Sequence, residues 1–598
     1  MKTVTSKELR EKWINFYVQR GHVDVGAASL IGSGETGVLF NVAGMQPLMP
    51  YLLGKPHPLG KRLCNVQGCV RTVDIEEVGD ESHFTFFEMM GNWSLGDYFK
   101  KEKTKWTFDF LTKELGFDPN KLCTTVFAGN KFVEKDDEIT QYLLDAGVKK
   151  ENIFYLKENW WDLPGTVNTP CGPDNEWFYP RHDNPCSDKC DATCECGRWV
   201  EIGNDVYMQY MIKEDGTVEP LKNKNVDTGF GFERLLMYIN GLTDGYKTDL
   251  FKNVIEYLEK STNKAYGQNK EDTKAMRIIA DHIRTAVMLI GDIKGIVPSN
   301  VGAGYILRRL IRRALRYARF LGLNQQNLIE VANIYIKKVY SQAYPLLIQK
   351  QDYITSELLK EANKFDKTLE QGTREFNKLI SNLAKFAPNV KTLSGDKAFK
   401  LFDTYGFPLE LTQEMASENG YSVDAEGFKK ASELHQEKSK GIQKGDFKGG
   451  LENHGEVEIK YHTATHLLNA ALKIVIGQDV HQRGSNITSE RLRFDFNCDH
   501  KMTEEEKQKV QDLVNEWINQ GIEVTVTSMK KQEAIDSGAE CMFIEKYPDE
   551  VTVYTIGNVS KELCGGPHVK NTKELGRFKI AKEEASSSGI RRIKAVLE

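Results

Sequence analysis

The sequence lacks any apolar run approaching the roughly 18 residues that a membrane-spanning helix requires. It also lacks a leader pattern, because residues 1–22 are charged and contain no apolar core. A secretory signal needs such a core beside its basic end. These absences predict a protein without a membrane segment or a signal peptide.

A large excess of charge of either sign is also lacking. Lys and Arg number 80 against 85 Asp and Glu, giving a net charge of −5 at pH 7. The net charge therefore does not indicate whether the protein binds nucleic acid, and a binding surface has to be sought in local basic stretches. Internal repeats and low-complexity tracts are missing as well.

The cysteine content is 11, an odd number in a long chain without a leader. Such usage is typical of a reducing compartment, where clustered cysteines more often bind metal than form disulfides. We therefore expect a cytoplasmic protein and look for metal sites among the cysteines.

With 598 residues the chain is too long for one hydrophobic core. Its first part is rich in aromatics, glycine and short β-type runs, and its middle is helical, as in the 3.6-residue periodicity of 352–386. Near the C-terminus, 491–497 alternates apolar and polar residues like a half-buried strand, and Thr503 and Glu506 fit a helix capping box. We predict a multi-domain α+β fold with a mixed-sheet domain at 1–245, a helical domain at 246–437, a linker at 438–455 and a compact α+β domain at 456–598.

Two arginine motifs stand out in the first domain. One is Cys69-Val70-Arg71, followed by a polar loop and His83-Phe84-Thr85-Phe86-Phe87-Glu88; the other is Asp227-Thr228-Gly229-Phe230-Gly231-Phe232-Glu233-Arg234. Glycine lets the backbone approach a ligand, and arginine offers a planar, permanently charged fork for phosphate. Either motif alone fits a strand-to-helix turn with surface arginines. Together they favour a phosphate-bearing substrate.

A basic stretch lies at 276–321, where nine Lys and Arg stand against Asp281 and Asp292, a local charge of +7. On a helix, one stripe is formed by Arg308, Arg312, Arg316 and Arg319. The opposite, buried face is formed by Leu307, Leu310, Ile311, Ala314, Leu315 and Ala318. A solvated face and a phosphate-binding face both fit this pattern.

Two groups of residues have the chemistry of metal ligands. His462 and His466 are one helical turn apart, and Cys564 and His568 offer two more ligands about a hundred residues later. No glutamate follows His462, so a zinc protease would lack its general base. The second group is formed by Cys186, Cys190, Cys194 and Cys196.

The second group lies in a segment with almost no apolar side chains, which cannot order itself by burial. Zinc held by four thiolates would supply the missing stabilisation. The spacing is not the common two-residue knuckle, so His182 could replace one cysteine, and four reduced thiols in a surface loop are the plain alternative.

The runs Thr85-Phe86-Phe87-Glu88-Met89 and Gly91-Asn92-Trp93-Ser94-Leu95-Gly96-Asp97-Tyr98-Phe99 resemble the alanyl-tRNA synthetase family of class II. The resemblance covers nearly the whole chain. It implies an antiparallel-sheet catalytic domain, a helical tRNA-recognition domain and an α+β zinc-binding editing domain. It implies ATP, Mg²⁺ and Zn²⁺ as cofactors, and L-alanine and tRNA(Ala) as substrates.

The resemblance also assigns roles to residues. Arg71 would contact the α-phosphate and Arg234 the γ-phosphate, with Phe87 stacking on adenine. ATP would further touch His83, Trp161, Ile202, Gly203, Asn204 and Gly231. Alanine would be held by Asp227, Asn204, Val206 and Trp161. The acceptor stem of tRNA would be read by Asn300 and Asp403, in Pro298-Ser299-Asn300 and Leu401-Phe402-Asp403, with Arg308, Arg312 and Arg316 nearby.

The C-terminal ligand group resembles the editing domain of the same family, which deacylates tRNA mischarged with serine or glycine. Zinc would be bound by His462, His466, Cys564 and His568, and Gln482 and Cys564 would act in editing. Such a second sieve is needed because a small pocket rejects an added hydroxyl only about 10²-fold. The sequence departs from the family at Phe84, Gly203 and Pro567, which usually are histidine, tryptophan and threonine.

Two other functions remain in view. A freestanding deacylase would need only residues after about 451 and leaves Arg71 and Arg234 unexplained, whereas a non-catalytic RNA-binding relative would be expected to lose both arginines. After Glu598, family members usually continue into a coiled coil and a globular module. Because no heptad seam is found in this sequence, we expect a monomer.

Overall fold

The computed structural model describes residues 3–32, 38–73, 75–163, 166–440, 455–540, 550–564, 566–587 and 589–598. The chain divides into two compact units, Met1–Val423 and Asp424–Glu598. Most of the predicted linker, 441–454, lies outside the described residues, and its first residues end a helix instead. Among the described residues, no helix is both long and apolar enough to cross a membrane.

The first unit combines helices with one large sheet. Its helices are α1 (Ser6–Val18), α2 (Met49–Leu52), α3 (Lys100–Asp109), α4 (Asp137–Ala146), α5 (Phe232–Ile239), α6 (Asp249–Thr262), α7 (Lys270–Gly291), α8 (Gly302–Phe320), α9 (Gln325–Ile334), α10 (Leu346–Gln349), α11 (Gln351–Phe386), α12 (Gly395–Tyr405) and α13 (Leu409–Glu418). Its strands are β1 (Val23–Asp24), β2 (Arg62–Val70), β3 (Phe86–Leu95), β4 (Cys123–Phe127), β5 (Ile153–Leu156), β6 (Trp160–Trp161), β7 (Pro170–Pro180), β8 (Trp199–Ile212), β9 (Val218–Gly231), β10 (Thr392–Leu393) and β11 (Ser422–Val423).

The large sheet has the order β1-β2-β3-β9-β8-β7-β4-β5, with β6 paired to β7. From β2 to β4 all neighbours are antiparallel, and only the outer pairs β1–β2 and β4–β5 are parallel. The sheet is therefore mixed, with an antiparallel centre. Its order brings together the two arginine motifs, because β3 of the first motif pairs with β9 of the second.

Helix α7 is the central helix of the first unit. Nearly all of its residues are buried, including Asp281, His282 and Arg284, none of which exposes any surface. A helix buried all round has to satisfy each polar side chain internally. On α8 the apolar face predicted from the sequence is confirmed, since its six residues expose 1% of their surface or less. The predicted periodic helix at 352–386 is confirmed as α11.

The second unit is an α+β assembly. Its helices are α14 (Ala425–Lys440), α15 (Glu456–Val475), α16 (Glu504–Gln520) and α17 (Lys531–Asp536). Its strands are β12 (Gln482–Ile487), β13 (Leu492–Asn497), β14 (Val524–Lys530), β15 (Glu550–Ile556), β16 (Ser560–Leu563), β17 (Phe578–Ser587) and β18 (Ile590–Leu597). One sheet has the order β12-β13-β18-β17 and another β14-β15-β16.

Local sequence signals explain two elements of the second unit. The alternating residues Leu492, Phe494 and Phe496 of β13 are fully buried in a core that also contains Leu467 and Leu468 of α15. Helix α16 begins at the predicted capping box, in which the Thr503 side chain accepts a hydrogen bond from the Glu506 N–H and the Glu506 side chain accepts one from the Thr503 N–H. Both predictions are confirmed.

Candidate active site and metal centres

One face of the large sheet gathers residues predicted to bind ATP and alanine. Residues paired directly across antiparallel strands point to the same face, and so do alternate residues along each strand. By the register of β3, β9 and β8, one face is shared by Phe87, Asp227, Gly231, Asn204 and Val206. The sequence motifs that carry these residues are far apart in the chain but adjacent in the sheet.

Arg71 directly follows strand β2 and lies beside Phe87. Its N–H donates to the Thr85 carbonyl at 2.9 Å, which extends the β2–β3 pairing by one step. The guanidinium donates through Nε to the Val42 carbonyl at 3.2 Å, and its Cζ lies 4.9 Å from the centre of the Phe87 ring. The side chain is otherwise exposed, so a cationic fork and an aromatic ring stand side by side at the surface.

His83 lies on the loop between β2 and β3, and its imidazole contacts two carboxylates. Its Nδ1 is 2.6 Å from Asp80 Oδ2, and its Nε2 is 3.3 Å from Glu77 Oε2. A contact with ATP would have to replace one of these partners. The neighbouring Phe84, which stands where the family usually has histidine, stacks on Phe251 with ring centres 5.4 Å apart. Phe84 therefore belongs to the packing beneath the loop.

Asp227 lies in β9, and its side chain is held by Trp93. Its Oδ1 accepts a hydrogen bond from the indole N–H of Trp93 at 2.6 Å. Burial raises the pKa of Asp227 to about 7, while the Trp93 N–H and the charge of Lys103 act in the opposite direction. An ammonium group beside this carboxyl would favour its ionised form. The site is thus suited to a small cation.

The wall around Asp227 is formed by residues of β8 and β6. Val206 is buried in an apolar cluster with Trp93, and Trp161 packs against that cluster while remaining half-buried. The Asn204 Oδ1 lies 3.4 Å from the position that a Cβ at Gly229 would take. A side chain at Gly229 would therefore crowd the amide, and glycine keeps this part of the sheet face open.

Gly203 faces the other side of the sheet, opposite Phe230. A Cβ at position 203 would lie 2.3 Å from the Phe230 ring, well inside van der Waals contact. The two residues are direct cross-strand partners, and Phe230 is fully buried. The space for a larger residue at 203, such as the tryptophan usual in the family, is filled here by Phe230. The neighbouring Ile202 exposes only 1% of its surface.

Arg234 lies in the first turn of α5, just after Gly231, and faces a group of carboxylates. Its Nη1 donates to the Glu201 carbonyl at 3.0 Å and lies 3.6 Å from Glu201 Oε2. Burial, and then the charge of Glu201, raises the pKa of Glu176 to about 7. Burial also raises the pKa of Asp174 well above its usual range.

Sequence reasoning missed the carboxylates of this group. Glu176 pairs with Asn204 across β7 and β8, and Asp174 pairs with Val206, so both share the sheet face of the predicted site. The Asp174 Oδ1 and both polar atoms of the Asn159 amide are buried without a hydrogen-bond partner. The signal that could have found them is the alternation of acids at 174 and 176 next to the glycine of β7. Repelling carboxylates with unmet hydrogen-bonding capacity fit a divalent cation.

Three of the four arginines of the predicted stripe pair with carboxylates of the protein instead of extending into solvent. Arg308 and Arg312 both pair with Glu361 of α11, at 3.3 and 2.8 Å, and Arg316 pairs with Glu414 of α13 at 3.2 Å. These three side chains are only 13–16% exposed. Because α11 and α13 pack on this face of α8, the positive charge is largely neutralised within the protein.

The two predicted tRNA-reading residues lie at the surface of the first unit. Asn300 precedes α8, and its Oδ1 accepts a hydrogen bond from Arg308. Asp403 lies near the end of α12 and is also exposed. Arg308 thus joins Asn300 to Glu361, so the amide is oriented by a paired arginine.

The four predicted editing ligands come together in the second unit. Their ligand atoms all lie within 4.8 Å of one another. Cys564 Sγ is 3.3 Å from His462 Nε2 and 3.5 Å from His568 Nε2. A tetrahedral zinc with ordinary Zn–S and Zn–N bonds sets these atoms about 3.5 Å apart. The spacing of the donor atoms therefore fits zinc.

A polar group lies behind each of the three imidazoles, and His462 and His568 direct Nε2 toward Cys564 Sγ. His462 Nδ1 lies 3.1 Å from the Pro567 carbonyl, which can only accept, so this nitrogen carries the proton. His568 Nδ1 lies 3.1 Å from Thr463 Oγ1, and His466 Nδ1 lies 3.5 Å from Glu562 Oε2. Such outer partners fix the orientation of metal-binding histidines. Sequence reasoning missed Thr463 and Glu562.

Two further editing predictions have simple structural settings. Pro567 contributes its carbonyl to His462, a function that any residue type at this position could serve. Gln482 is the first residue of β12, pairs with Phe496 and lies at a bulge in that strand. Gly565, which directly follows the predicted ligand Cys564, lies outside the described residues.

The second predicted ligand group, formed by Cys186, Cys190, Cys194 and Cys196, also converges, in the loop between β7 and β8. Cys186 Sγ is 3.5 Å from Cys194 Sγ, and Cys190 Sγ is 3.7 Å from Cys196 Sγ. Thiolates around a tetrahedral zinc are about 3.8 Å apart, so these distances suit a four-sulfur site. The loop leads within five residues into Glu201 of β8. His182 is not part of the group that the structure brings together.

Comparisons with known proteins match both units. The family described as tRNA synthetases class II (A) matches residues 8–489, and that described as Threonyl and Alanyl tRNA synthetase second additional domain matches residues 551–594. An alanine–tRNA ligase of Borrelia hermsii is 49% identical over 594 residues, covering 99% of each chain. One of Treponema denticola is 49% identical, covering 100% of each. One of a Thermotoga species is 36% identical, with all of this chain matching 80% of that protein.

Proposed function

The chain belongs to the alanyl-tRNA synthetase family, the alanine–tRNA ligases of class II, and we propose which of its residues carry out each step. The enzyme activates L-alanine with ATP, transfers the alanine to tRNA(Ala) and hydrolyses mischarged tRNA. The observation that supports the assignment best is the shared sheet face, where β9, which carries Asp227 of the second arginine motif, pairs with β3, which carries Phe87 of the first.

In the activation step the alanine carboxylate attacks the α-phosphorus of ATP, and pyrophosphate leaves. We assign Arg71 to the α-phosphate and Arg234 to the γ-phosphate, where fixed positive charge stabilises the charge that builds up on the phosphate oxygens. Phe87 stacks on adenine, and His83, Trp161, Asn204 and Gly231 line the ATP site. Ile202 and Gly203 contribute backbone atoms only, because Ile202 is buried and Gly203 faces the other side of the sheet. Mg²⁺ neutralises phosphate charge when bound. The carboxylates of Glu176, Glu201 and Asp174 are the groups that would hold this ion.

Alanine binds with its ammonium group at Asp227. Asn204, Val206 and Trp161 enclose its methyl group in a small pocket. The raised pKa of Asp227 supports this role, since an ammonium partner would restore the charge that burial disfavours. The pocket excludes larger side chains by volume but rejects serine only weakly.

We place the tRNA acceptor stem at Asn300 and Asp403, which read the G:U pair. Short polar side chains on the minor groove are a usual means of reading A-form RNA. Arg308, Arg312 and Arg316 support this surface, and any of them that contacts phosphate has to exchange a carboxylate partner for it.

Editing takes place at the second cluster. Zinc is held there by His462, His466, Cys564 and His568, with Gln482 and Cys564 acting on mischarged tRNA. A second zinc, at Cys186, Cys190, Cys194 and Cys196, stabilises the loop between β7 and β8. The sulfur–sulfur distances support that site.

Elemental analysis is expected to find two zinc ions per chain, falling to one in the Cys190→Ser/Cys194→Ser variant. The reason is that two thiolates cannot complete a tetrahedral site. Cys171→Ala, a buried cysteine of β7 outside both clusters, serves as the control and should keep both ions. A single zinc in the parent, lost with Cys564→Ala, would contradict the four-cysteine site.

We also propose that the chain acts as a monomer in the cytoplasm, where charged tRNA is consumed. Light scattering at micromolar concentration is expected to give the chain mass of 68.0 kDa. Twice that mass would refute the monomer.

The activity itself is tested by ATP–pyrophosphate exchange with each of the twenty amino acids. Alanine should support the fastest exchange, with serine and glycine well below it. Exchange without any dependence on alanine would contradict the proposed pocket.

A further inference from the structure

Helices α7 and α8, which carry the basic stretch, donate hydrogen bonds to the loop between β2 and β3 of the first arginine motif. Arg313 of α8 donates through Nη1 to the Ile75 carbonyl at 2.8 Å and to the Val78 carbonyl at 3.5 Å. Arg277 of α7 donates to the Gly79 carbonyl at 3.1 Å. The Arg313 side chain is only 6% exposed. It is therefore enclosed between helix and loop and is not available to bind phosphate.

The same arginine is connected to the other end of the loop through two buried side chains. Arg313 Nη1 lies 2.9 Å from His282 Nε2, and His282 Nδ1 lies 2.9 Å from Asp281 Oδ2. Asp281 in turn accepts hydrogen bonds from the Thr85 N–H at 2.9 Å and the Thr85 hydroxyl at 2.6 Å. Thr85 is the residue whose carbonyl accepts the Arg71 N–H. The hydrogen bonds are therefore continuous from Arg313 to the backbone of Arg71.

In the opposite direction, Arg313 is tied to the helix that follows Asp403. Glu414 of α13 accepts from Arg313 Nε at 2.8 Å and also contacts Arg316 at 3.2 Å and the Tyr317 hydroxyl at 2.9 Å. Helix α13 begins four residues after α12 ends, and Asp403 lies in the last turn of α12. The Arg313 guanidinium thus contacts α13, α7 and the loop between β2 and β3.

We propose that Arg313 is a positioning residue that couples the acceptor-stem surface at Asn300 and Asp403 to the placement of Arg71. The inference deepens the proposed function and rests on its assignment of that surface to tRNA. A displacement of α12 and α13 changes the position of Glu414, hence of Arg313, and hence, through the hydrogen bonds of His282, Asp281 and Thr85, of the Arg71 backbone. Arginine suits this position because a rigid fork with five donors reaches several acceptors in different directions, which lysine cannot do.

The test compares Arg313→Lys with Glu414→Gln, and uses Arg319→Lys as the matched control. Arg319 lies on the same helix but is 43% exposed and pairs with Asp366. Three quantities are measured on the full chain: alanine-dependent pyrophosphate exchange, the single-turnover rate of alanine transfer to acceptor-stem duplexes with a G:U or an A:U pair, and the affinity for each duplex.

In Arg313→Lys, exchange should fall about tenfold in kcat, because the loop that carries Arg71 loses its anchor. The ratio of the G:U to the A:U transfer rate should fall by a similar factor, while duplex affinity changes less than about threefold. Glu414→Gln should reduce the rate ratio and leave exchange within about threefold of the parent, since the bonds from Arg313 to the loop remain. Arg319→Lys should match the parent throughout.

A purely structural role predicts something different. It would slow transfer to both duplexes equally in both variants and leave the rate ratio unchanged, and that result would overturn the coupling. Parent enzyme that does not distinguish the two duplexes would instead overturn the assignment of Asn300 and Asp403. In that case the loss of exchange in Arg313→Lys still reports whether the loop is positioned by this arginine.

Discussion

Alanine-dependent ATP–pyrophosphate exchange is expected to fall by at least about 10²–10³-fold in Arg71→Ala and in Arg234→Ala. Each arginine supplies charge stabilisation that is needed mainly in the transition state, worth roughly 3 kcal/mol or more for a well-placed donor. The two lie at the same end of the sheet, after β2 and after β9, because both strands run antiparallel to β3 between them. Steady-state exchange with saturating alanine measures the effect.

The fold should survive both substitutions. The Arg71 and Arg234 side chains are exposed and donate hydrogen bonds to the carbonyls of Val42 and Glu201, respectively. Circular dichroism and the melting temperature should therefore stay close to those of the parent. Arg374→Ala, an arginine of α11 with 61% exposure, controls for loss of a surface charge and should retain full exchange. Near-parental exchange in both active-site variants would disprove the assignment of the phosphate-binding arginines.

Deacylation of Ser-tRNA(Ala) is expected to stop in Cys564→Ala, while alanylation stays within about twofold of the parent. The substitution removes one of four zinc ligands, and the remaining three imidazoles bind the metal more weakly. Alanylation persists because its residues lie in the other unit, Met1–Val423. The measurements are hydrolysis of preformed Ser-tRNA(Ala) and the zinc content of the same preparation.

Cys498→Ala provides the matched control for that experiment. Cys498 is a buried cysteine of the same unit and lies outside the four-ligand cluster. Its variant should keep zinc and clear Ser-tRNA(Ala) at the parental rate. Parental clearance by Cys564→Ala itself would show that the editing site lies elsewhere.

The two groups of candidate metal ligands could be predicted from sequence because metal chemistry restricts residue types so strongly. Few side chains bind zinc, so His462 and His466 one turn apart, and Cys564 and His568 four residues apart, identify one another across the chain. The groups behind the ligands are less restricted. No sequence pattern identifies Thr463 and Glu562, because threonine and glutamate occur in many structural contexts. Only the fold brings them behind the imidazoles.

For the basic stretch at 276–321, the local charge count did not show that its arginines are paired within the protein. The count set nine Lys and Arg against two aspartates, but the partners of Arg312, Arg313 and Arg316 come from α11 and α13, which lie well outside the window. An ion pair between distant segments leaves no periodicity in either one. The sequence could therefore predict the buried apolar face of α8 but not whether its charged face meets solvent.

The large sheet of the first unit was also only partly predictable from the sequence. The strands around both arginine motifs could be anticipated from their residues, whereas the register that joins β3, β9, β8 and β7 could not. Glu176 and Asp174 belong to the site only because β7 pairs with β8 in that register. Neither carboxylate lies near an arginine motif in the sequence, so their alternation at 174 and 176 was the only local signal and did not connect them to that site.

The packing of Gly203 against Phe230 has a consequence for how this part of the family can vary. The two positions share one volume, so bulk added at 203 has to be offset by a smaller or more flexible residue at 230. Single substitutions at either position are disfavoured, whereas a paired exchange preserves the packing. Residue identities at 203 and 230 are therefore expected to covary among relatives, with a large residue at one position accompanying a small or pliable one at the other.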